Sequence, residues 1–463
     1  MCFNAFRHSV LQHSNFVESI FLKDFLLGDK IIQLIIVILL LFCAFFYGGL
    51  ATRLELSPAK YINKPLSAAE TVISAFTIKT CNDNIRWTAP MPEHTGIMKK
   101  SDSSKVFYTL YTSTHDTTAR LIDQDGTLSH EWSFNFNDVW RDRSHIVSLA
   151  SLNDSYFYLR DFYLYPNGDI ILMVSAGGVT PWGMGLVKLD KDSKVLWKYT
   201  GYVNNDFDVG SDGIIYTVEH ELRTDQPEKV KEVFLPFLED HIVMLDHYGN
   251  EHKRISLVDA ISNSPYASLL NRFEDDGHGD PSHTNSVQHI KKDSTTLPWI
   301  RQGHLLISIR NLNSMVVLNP ENGEITYAAD LPSRMQHDVE HLDNGNLLMF
   351  DNRGDISGSD YTRVIELDPQ TQQILWERDR DAYGAEMHSD FFGQQTRFEN
   401  GNTFIVYAEK SQLFEVTPNN EVVWSYTSPL SKDIDGEERV GIITSAERIP
   451  SDFVTFIPKF CGI

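Results

Sequence analysis

The feature that most constrains the fold is a short β motif that recurs along most of the chain. One recurring element ends in an aromatic residue. Its five copies end at Trp132, Trp197, Tyr327, Trp376 and Trp424. The last three aromatic residues are 49 and 48 residues apart, which suits a module of four short strands. A second recurring element is a hairpin with an Asn-Gly or Asp-Gly turn, as in residues 335–352.

The two elements together form four-stranded antiparallel modules, and the sequence contains about six of them. The modules lie near residues 104–135, 158–200, 204–256, 283–328, 336–378 and 388–426. A long insertion around residues 256–280 interrupts the series after the third module. Radial stacking of such modules buries their faces and leaves only short edges. We therefore predict an all-β fold, a six-bladed β-propeller.

Polar side chains recur at one position of the predicted first strands. Arg160, Asn205 and His337 each lie eight residues before a turn glycine, and the run HTNSVQHI from His283 aligns with HDVEHL without gaps. The first strand of each propeller blade lines the central channel, so we expect these four side chains to converge on one polar pocket. Such convergence is typical of a binding or active site. A hydrated polar ring without chemistry is the alternative that the pattern leaves open.

An apolar segment precedes the repeats. Residues 31–52 contain no charged residue. At about 1.5 Å per residue, a helix of this length spans roughly 33 Å, enough for one bilayer crossing. The run is longer than the apolar region of a secretory signal peptide, so we predict a single uncleaved transmembrane helix, with a cleaved signal as the alternative. We interpret residues 53–103 as a juxtamembrane linker, 104–455 as the propeller and 456–463 as a C-terminal tail.

The chain is acidic, with a formal net charge of -23, and no long run of basic residues offsets this charge. Nucleic acid and anionic membrane surfaces both require a concentrated positive patch, so the composition argues against both as partners. Any anionic substrate must then be held by a local cluster of Arg and His side chains.

The sequence contains no motif for a nucleotide cofactor or a metal ion. It has no G-x-x-x-x-G-K-[ST] loop, no dinucleotide-binding glycine loop and no G-x-S-x-G motif. The two histidines of HDVEH, His337 and His341, would lie roughly 13 Å apart on a strand, too far to share one zinc ion. We therefore predict no cofactor and no metal.

Several runs resemble the bacterial arylsulfotransferase family. They are HTNS (283–286), SIRN (308–311), MQHDVEHLDNGNLLMFDN (335–352), RFENGNTF (397–404) and LFEVTPNNEVVW (413–424). The resemblance covers roughly residues 104–455 and includes the run ITSAERIPSDFV (443–454). It implies a six-bladed propeller that works outside the cytoplasm and transfers a sulfuryl group without a nucleotide donor. The expected partners are an aryl sulfate ester as donor and a phenol as acceptor, both small molecules.

The resemblance also implies roles for individual residues. By resemblance, His337 is the histidine that becomes transiently sulfated, and this role is chemically coherent because neutral imidazole can attack sulfur near neutral pH. His283, Asn285 and Arg310 match the family's sulfuryl-binding residues, and a protonated His283 could donate to the leaving phenolate. Thr396 matches a threonine near the acceptor. The expected catalytic residues are His337, His283 and Arg310, and the expected substrate-binding residues are Asn285, Asn205, Arg160 and Thr396.

The sequence departs from the family at two places. Asn204 and Asn205 stand where the family typically has histidines. The stretch after His283 carries an insertion, KKDSTTLPWIRQGH (291–304), before the strand that delivers Arg310, and Asn311 stands where many relatives have a second histidine. Asparagine can donate a hydrogen bond but carries neither charge nor a proton in catalysis. The departure keeps an alternative function open, a non-catalytic propeller that binds a small anion or a partner protein at the channel mouth.

The resemblance further implies a location. We expect a single-pass protein of the inner membrane, with residues 1–30 in the cytoplasm and the propeller facing the periplasm. An oxidising compartment would permit a bridge between Cys81 and Cys461, and two free thiols are the alternative. The sequence does not determine the oligomeric state.

Overall fold

The computed structural model describes most of the chain. The described residues are 39–44, 46–47, 87–90, 92–101, 107–142, 156–177, 181–227, 235–273, 279–354, 361–434 and 436–457. The chain divides into two compact units, Met1–Ala69 and Glu70–Ile463. In the first unit the described residues are helical. No helix among the described residues is both long and apolar enough to cross a membrane.

Some sequence predictions lie outside the described residues. They concern residues 1–30, most of the segment 31–52, and the two cysteines Cys81 and Cys461. The transmembrane helix, its orientation and the disulfide therefore stay predictions.

The second unit is an all-β propeller of six antiparallel blades, which confirms the predicted fold. Blades 2 to 5 each use four consecutive strands, which follow one another from the channel outward. Blade 2 contains Phe157–Leu164, Ile170–Ala176, Gly183–Leu189 and Val195–Thr200. Blade 3 contains Val203–Val209, Ile215–Arg223, Phe237–Leu245 and Glu251–Ser256. Blade 4 contains Thr284–His289, Leu305–Ile309, Ser314–Asn319 and Glu324–Asp330. Blade 5 contains His337–His341, Leu347–Asp351, Arg363–Leu367 and Ile374–Arg378.

Blades 1 and 6 include strands from opposite ends of the unit. Blade 1 contains Ile443–Pro450, Phe107–Ser113, Thr118–Ile122 and Leu128–Ser133. Blade 6 contains Gln394–Arg397, Thr403–Tyr407, Gln412–Val416, Val422–Thr427 and Gly96–Lys100. The ring closes because the late strand Ile443–Pro450 becomes the innermost strand of the first blade. Gly96–Lys100 falls in the stretch interpreted above as a linker. Composition did not reveal its role as a fifth strand, because its partner Val422–Thr427 is distant in sequence.

The remaining described elements are short. A small sheet contains Trp87–Pro90, Glu437–Gly441 and Ser431–Ile434. The α-helices beyond the first unit are Phe136–Val139 and Leu257–Ser262. The 3-10 helices are Ala267–Arg272, Arg310–Leu312 and Ala408–Lys410. Leu257–Ser262 lies in the insertion after blade 3, and its apolar side chains pack in the core between blades 3 and 4.

The repeated aromatic residue has a definite structural role. The indole N–H of Trp132 donates to the carbonyl of Gly168 in a turn of blade 2, at 2.9 Å. The indoles of Trp197, Trp376 and Trp424 donate in the same way to carbonyls in turns of blades 3, 6 and 1. Each of these residues therefore ties the outer part of its blade to the next blade. Such a bond contributes about 0.5–1.5 kcal/mol to the free energy of unfolding. Because the bond recurs from blade to blade, the aromatic residue recurs in the sequence with the period of a blade.

Candidate active site

The site begins with an irregularity that five inner strands share. The register between the first and second strand shifts near Arg160 in blade 2, after Asn204 in blade 3, near Asn285 in blade 4, after His337 in blade 5 and near Thr444 in blade 1. A β-bulge of this kind bends the strand and re-aims a side chain. Because the bulges lie at one level of the ring, they direct side chains from five blades toward one place.

These side chains line an open, polar cavity. The lining residues are Arg160, Asn205, Asp206, Asn285, Ser286, His337, Asp338, Phe392, Gly393, Gln394 and Thr444. Blade 6 contributes the loop before its inner strand. Gly393 has φ +112°, and a Cβ there would lie 2.4 Å from the ring of Phe350, so only glycine lets this loop lie so close to blade 5.

His337 is buried in the wall of this cavity, and its tautomer is fixed by a neighbouring amide. Its Nδ1 lies 2.7 Å from Oδ1 of Asn352. The Asn352 amide nitrogen donates to the carbonyls of Phe392 and Ser389, at 2.8 and 3.3 Å, so the amide oxygen is the atom presented to the imidazole. Nδ1 must therefore carry the proton. The lone pair of the neutral ring is then on Nε2, which no described residue contacts by a hydrogen bond.

The environment keeps this imidazole neutral. Burial is the main reason that the pKa of His337 lies well below its usual value, and the charges of Arg310, His283 and Arg160 lower it further. Charges have such an effect only at short range. Arg160 lines the same cavity as His337, and the guanidinium of Arg310 contacts the sulfur of Met335, two residues before His337.

Arg160 and Asn205 form one unit. The Arg160 guanidinium donates to Oδ1 and to the backbone carbonyl of Asn205 and lies 4.5 Å from the centre of the Phe392 ring. The amide nitrogen of Asn205 donates to the carbonyl of Thr284 at 2.8 Å. Asn205, at a position where the family typically has a histidine, thus connects the arginine of blade 2 to blade 4.

Asn285 occupies the position in blade 4 that His337 occupies in blade 5. Ser286 Oγ accepts from the backbone N–H of Val339, just as Asp338 accepts from Gln395 in the next blade. The ring at this level therefore contains Asn285, and the ungapped alignment of His283 with His337 is wrong by two residues. The insertion in the first hairpin of blade 4, residues 291–304, moves the turn glycine to Gly303, away from the spacing that set the register in the other blades.

His283 lies just before the inner strand of blade 4, beside the cavity rather than in its lining. It adopts a left-handed backbone conformation with φ +48°, which is uncommon for a residue with a side chain. Its Nδ1 lies 2.6 Å from Oδ2 of Asp280, and its backbone N–H donates to Oδ1 of the same carboxylate at 2.9 Å. Asp280 thus holds both the ring and the main chain of His283.

Arg310 is adjacent to His283 through the backbone. Its N–H donates to the carbonyl of His283 at 3.2 Å, and its guanidinium donates to Oδ1 of Asn311 at 2.8 Å. A second guanidinium nitrogen lies 3.6 Å from the sulfur of Met335. Asn311, where many relatives have a histidine, therefore orients the arginine.

Thr396, like His283 and Arg310, is a predicted site residue outside the cavity lining. It belongs to the inner strand of blade 6, pairs with Phe404 and lies two residues beyond Gln394. It does not line the cavity. Its predicted role near an acceptor stays a prediction.

The sequence analysis did not predict that the carboxyl groups of Asp206 and Asp338 line the cavity. Burial, reinforced by the charge of Asp161, raises the pKa of Asp338 to about 7. Burial and Asp161 also raise the pKa of Asp206. The alternation in the runs DFD and DVE placed these side chains on the channel face and could have revealed them. Asn352 was missed as well, although the hairpin register that pairs His337 with Phe350 brings it close.

Comparisons with known proteins agree with the sequence reading of the family. A family model described as Arylsulfotransferase (ASST) matches residues 164–428. No curated protein sequence matches the chain.

Two solved structures are distantly similar to this chain. A protein of unknown function from Bacteroides caccae is 13% identical, with a TM-score of 0.46, and the match covers 74% of this chain and 99% of that one. A streptogramin B lyase structure is 14% identical, with a TM-score of 0.39, and the match covers 74% of this chain and 86% of that one. Likenesses at these scores indicate nothing about the activity of this chain.

The contact between His337 and Asn352 leads to a testable prediction. Substitution Asn352→Asp places a carboxylate on Nδ1, which should raise the pKa of His337 by roughly 1 to 3 pH units. An NMR titration of the histidine C2 protons measures this pKa directly. Asn322→Asp, in an exposed turn, is the matched control and should leave the His337 titration unchanged. A wild-type His337 that titrates near its ordinary value would contradict the buried neutral imidazole.

Proposed function

The chain belongs to the arylsulfotransferase (ASST) family, whose model matches more than half of it, and on that premise we propose that it transfers a sulfuryl group from an aryl sulfate ester to a phenol. The transfer uses no nucleotide and passes through a sulfated His337. The observation that carries the proposal is the state of His337. It is a buried, neutral imidazole with a fixed Nδ1 proton and an available Nε2 lone pair, in a cavity that Arg160 also lines, and the charges of Arg310 and His283 act on the ring.

The first half of the reaction forms a nitrogen–sulfur bond. The lone pair of His337 Nε2 attacks the sulfur of the aryl sulfate, and the bond between sulfur and the aryl oxygen breaks with its electron pair on the phenolate. The Nδ1 proton stays on the ring, hydrogen-bonded to Asn352, which stabilises the positive charge that the sulfated imidazole acquires. Splitting the displacement in this way replaces one difficult step with two easier ones.

Charge stabilisation is supplied by groups that the fold holds in place. A sulfuryl group in transfer spreads negative charge over its oxygens, so fixed cations lower the barrier. Arg160 is oriented by Asn205, and Arg310 is oriented by Asn311. A guanidinium is a planar fork of donors that suits an oxyanion. The two asparagines that replace family histidines therefore position cations without carrying a proton themselves.

His283 is the proposed proton donor to the leaving phenolate. Asp280 holds its Nδ1, so the opposite ring nitrogen is the one that can give a proton. In the second half of the reaction a phenol replaces the departed product, returns the proton to His283 and takes the sulfuryl group from His337. Oδ1 of Asn285, which has no hydrogen-bond donor among the described residues, can accept a bond from the incoming hydroxyl.

The proposal predicts that His337→Ala abolishes turnover. With a chromogenic aryl sulfate and a phenol, the rate should fall at least about a thousandfold, because the nucleophile is lost. His341→Ala on the same strand is the matched control and should retain most of the activity. The wild-type protein incubated with donor alone should gain the mass of one SO₃ group, and the His337 variant should not.

Two results would contradict this function. Equal background turnover in wild type and His337→Ala would rule out the enzyme. Absence of turnover combined with saturable binding of the aryl sulfate at the cavity would instead support the non-catalytic, anion-binding propeller.

A second prediction concerns pH. Because the pKa of His337 lies well below 6.5, the nucleophile should remain neutral and kcat/KM should not fall between pH 8 and 6 through this group. Asp338, with a pKa of about 7, gains a negative charge beside the anionic substrate as the pH rises. KM for the aryl sulfate should therefore rise roughly threefold to tenfold above that pKa.

The matched variants isolate the charge of Asp338. Asp338→Asn should remove the alkaline rise in KM, whereas Asp343→Asn, at an exposed turn, should preserve it. An alkaline rise that persists in Asp338→Asn would assign it to another group.

We also propose that residues 31–52 anchor the protein in the inner membrane with the propeller in the periplasm. The support is the length of the uncharged segment and the helical conformation of residues 39–44 and 46–47. Alkaline carbonate extraction should leave the full chain in the membrane pellet and release a chain that begins at residue 87. Release of the full chain, or recovery of a shortened chain that has lost the segment, would contradict an uncleaved anchor.

A further inference from the structure

A second cluster of chemically active side chains lies behind His283. His220 and Asp240 are direct partners on adjacent strands of blade 3, and Asp280 comes from the segment that leads into blade 4. The exposed fractions of these residues are 1%, 0% and 1%. One nitrogen or oxygen atom from each lies within 4.8 Å of the other two. The strand register fixes the first two, so the cluster is held by rigid elements.

The distances within the cluster suit ligands around one metal ion. His220 Nε2 lies 3.1 Å from Oδ1 of Asp240 and 3.7 Å from Oδ2 of Asp280. Zinc binds nitrogen and carboxylate oxygen at about 2.0–2.2 Å, so neighbouring ligand atoms of a tetrahedral site are roughly 3.3–3.6 Å apart. The observed distances fall around that value.

The outward oxygens of both carboxylates already have donors. Oδ2 of Asp240 accepts from Ser282 Oγ and from the backbone N–H of Thr284, each at 2.8 Å. Oδ1 of Asp280 accepts from the backbone N–H of His283, and its Oδ2 lies 2.6 Å from His283 Nδ1. The opposite oxygen of Asp240, Oδ1, faces the cluster and has no hydrogen-bond donor among the described residues, although it is fully buried. Outer hydrogen bonds of this type orient the ligands of metal sites.

The state of His220 is set by its neighbours. The Trp182 indole can only donate, and it donates to Oδ1 of Asn204. The group that Asn204 presents to His220 Nε2, at 2.8 Å, is therefore its NH₂. Nε2 then carries a lone pair rather than a proton. The His220 lone pair and Oδ1 of Asp240 are therefore two acceptors that face each other across 3.1 Å with no proton between them, and Oδ2 of Asp280, which also contacts His283 Nδ1, lies beside them.

Such an arrangement is unfavourable unless a cation is present. Two buried carboxylates and a neutral His220 carry a charge of minus two, and a protonated His283 beside Asp280 offsets only one of these charges. Burial of the uncompensated charge is costly. We propose that His220, Asp240 and Asp280 bind one divalent transition-metal ion, of which Zn²⁺ is the representative. Imidazole and carboxylate ligands together suit this class of ion better than Ca²⁺ or Mg²⁺, which prefer oxygen alone.

The site is distinct from the sulfuryl cavity and does not depend on the proposed reaction. It shares Asp280 with the contact to His283, so the ion would hold the turn from Asp280 to His283 in place. Its expected role is to fix this turn rather than to contact the substrate.

The test measures metal content and stability, not sulfotransfer. The full chain, purified in metal-free buffer and then supplied with Zn²⁺, should retain about one equivalent after gel filtration, measured by plasma mass spectrometry. Removal of Zn²⁺ with a chelator should lower the melting temperature by several degrees, and renewed Zn²⁺ should restore it, because a ligand that binds only the folded state stabilises it.

A matched pair of variants locates the ion. Asp240→Asn should lose the bound Zn²⁺ and the response of the melting temperature to Zn²⁺. Glu415→Gln changes an equally buried carboxylate in blade 6 and should keep both. A wild-type chain that retains no Zn²⁺, and whose melting temperature changes with neither chelator nor Zn²⁺, would overturn the proposal. The cluster would then be an imidazolium paired with two carboxylates. This measurement needs no variant, so it decides the question even if Asp240→Asn fails to fold.

Discussion

The inner strands of blades 3, 4 and 5 are each fixed to the inner strand of the following blade by a hydrogen bond. In each bond a side-chain oxygen accepts from a backbone N–H of the following blade. Asp206 accepts from Val287 at 2.7 Å, Ser286 accepts from Val339 at 3.2 Å, and Asp338 accepts from Gln395 at 2.9 Å. Adjacent inner strands of a propeller belong to different sheets and share no ladder, so these bonds replace it. These bonds fix the position of each blade along the channel axis relative to the next blade. They therefore determine which residues of different blades lie at the same depth in the channel.

The candidate active site lies at the same depth in the channel as these hydrogen bonds. Directly before the bonding residues lie Asn205, Asn285 and His337, where bulges turn the side chains toward the cavity. Arg160 lines the cavity with His337, whose pKa is lowered, and so do Asp206 and Asp338, whose pKa values are raised. Burial disfavours the charged form of a histidine and of a carboxyl group alike. It therefore keeps His337 neutral and favours the protonated forms of Asp206 and Asp338. The opposite shifts have one physical cause, the exclusion of water from the wall of the channel.

The sequence predicted the fold well because the blade repeat is local. The turn glycines and the aromatic residues at the blade ends report on hairpins of neighbouring residues, and they gave six blades and the positions of Arg160, Asn205 and His337. The predicted alignment of His283 with His337 was wrong, because residues 291–304 lengthen the hairpin whose turn sets the register. Gly96–Lys100 was assigned to a linker, since its pairing with blade 6 leaves no local pattern. Asp280, Asp240 and His220 show no metal-binding spacing, because they meet only across two blades.

The sequence by itself determined the repeated unit, the family and the identity of the central histidine, since each depends on residues close together in the chain. Only the tertiary structure decided which atom of His337 holds the proton, because that depends on how Asn352 is held by Phe392 and Ser389. It also decided which residues share a level around the channel. Ring closure brings together residues hundreds of positions apart, and contacts of that range leave no periodic trace in a single sequence.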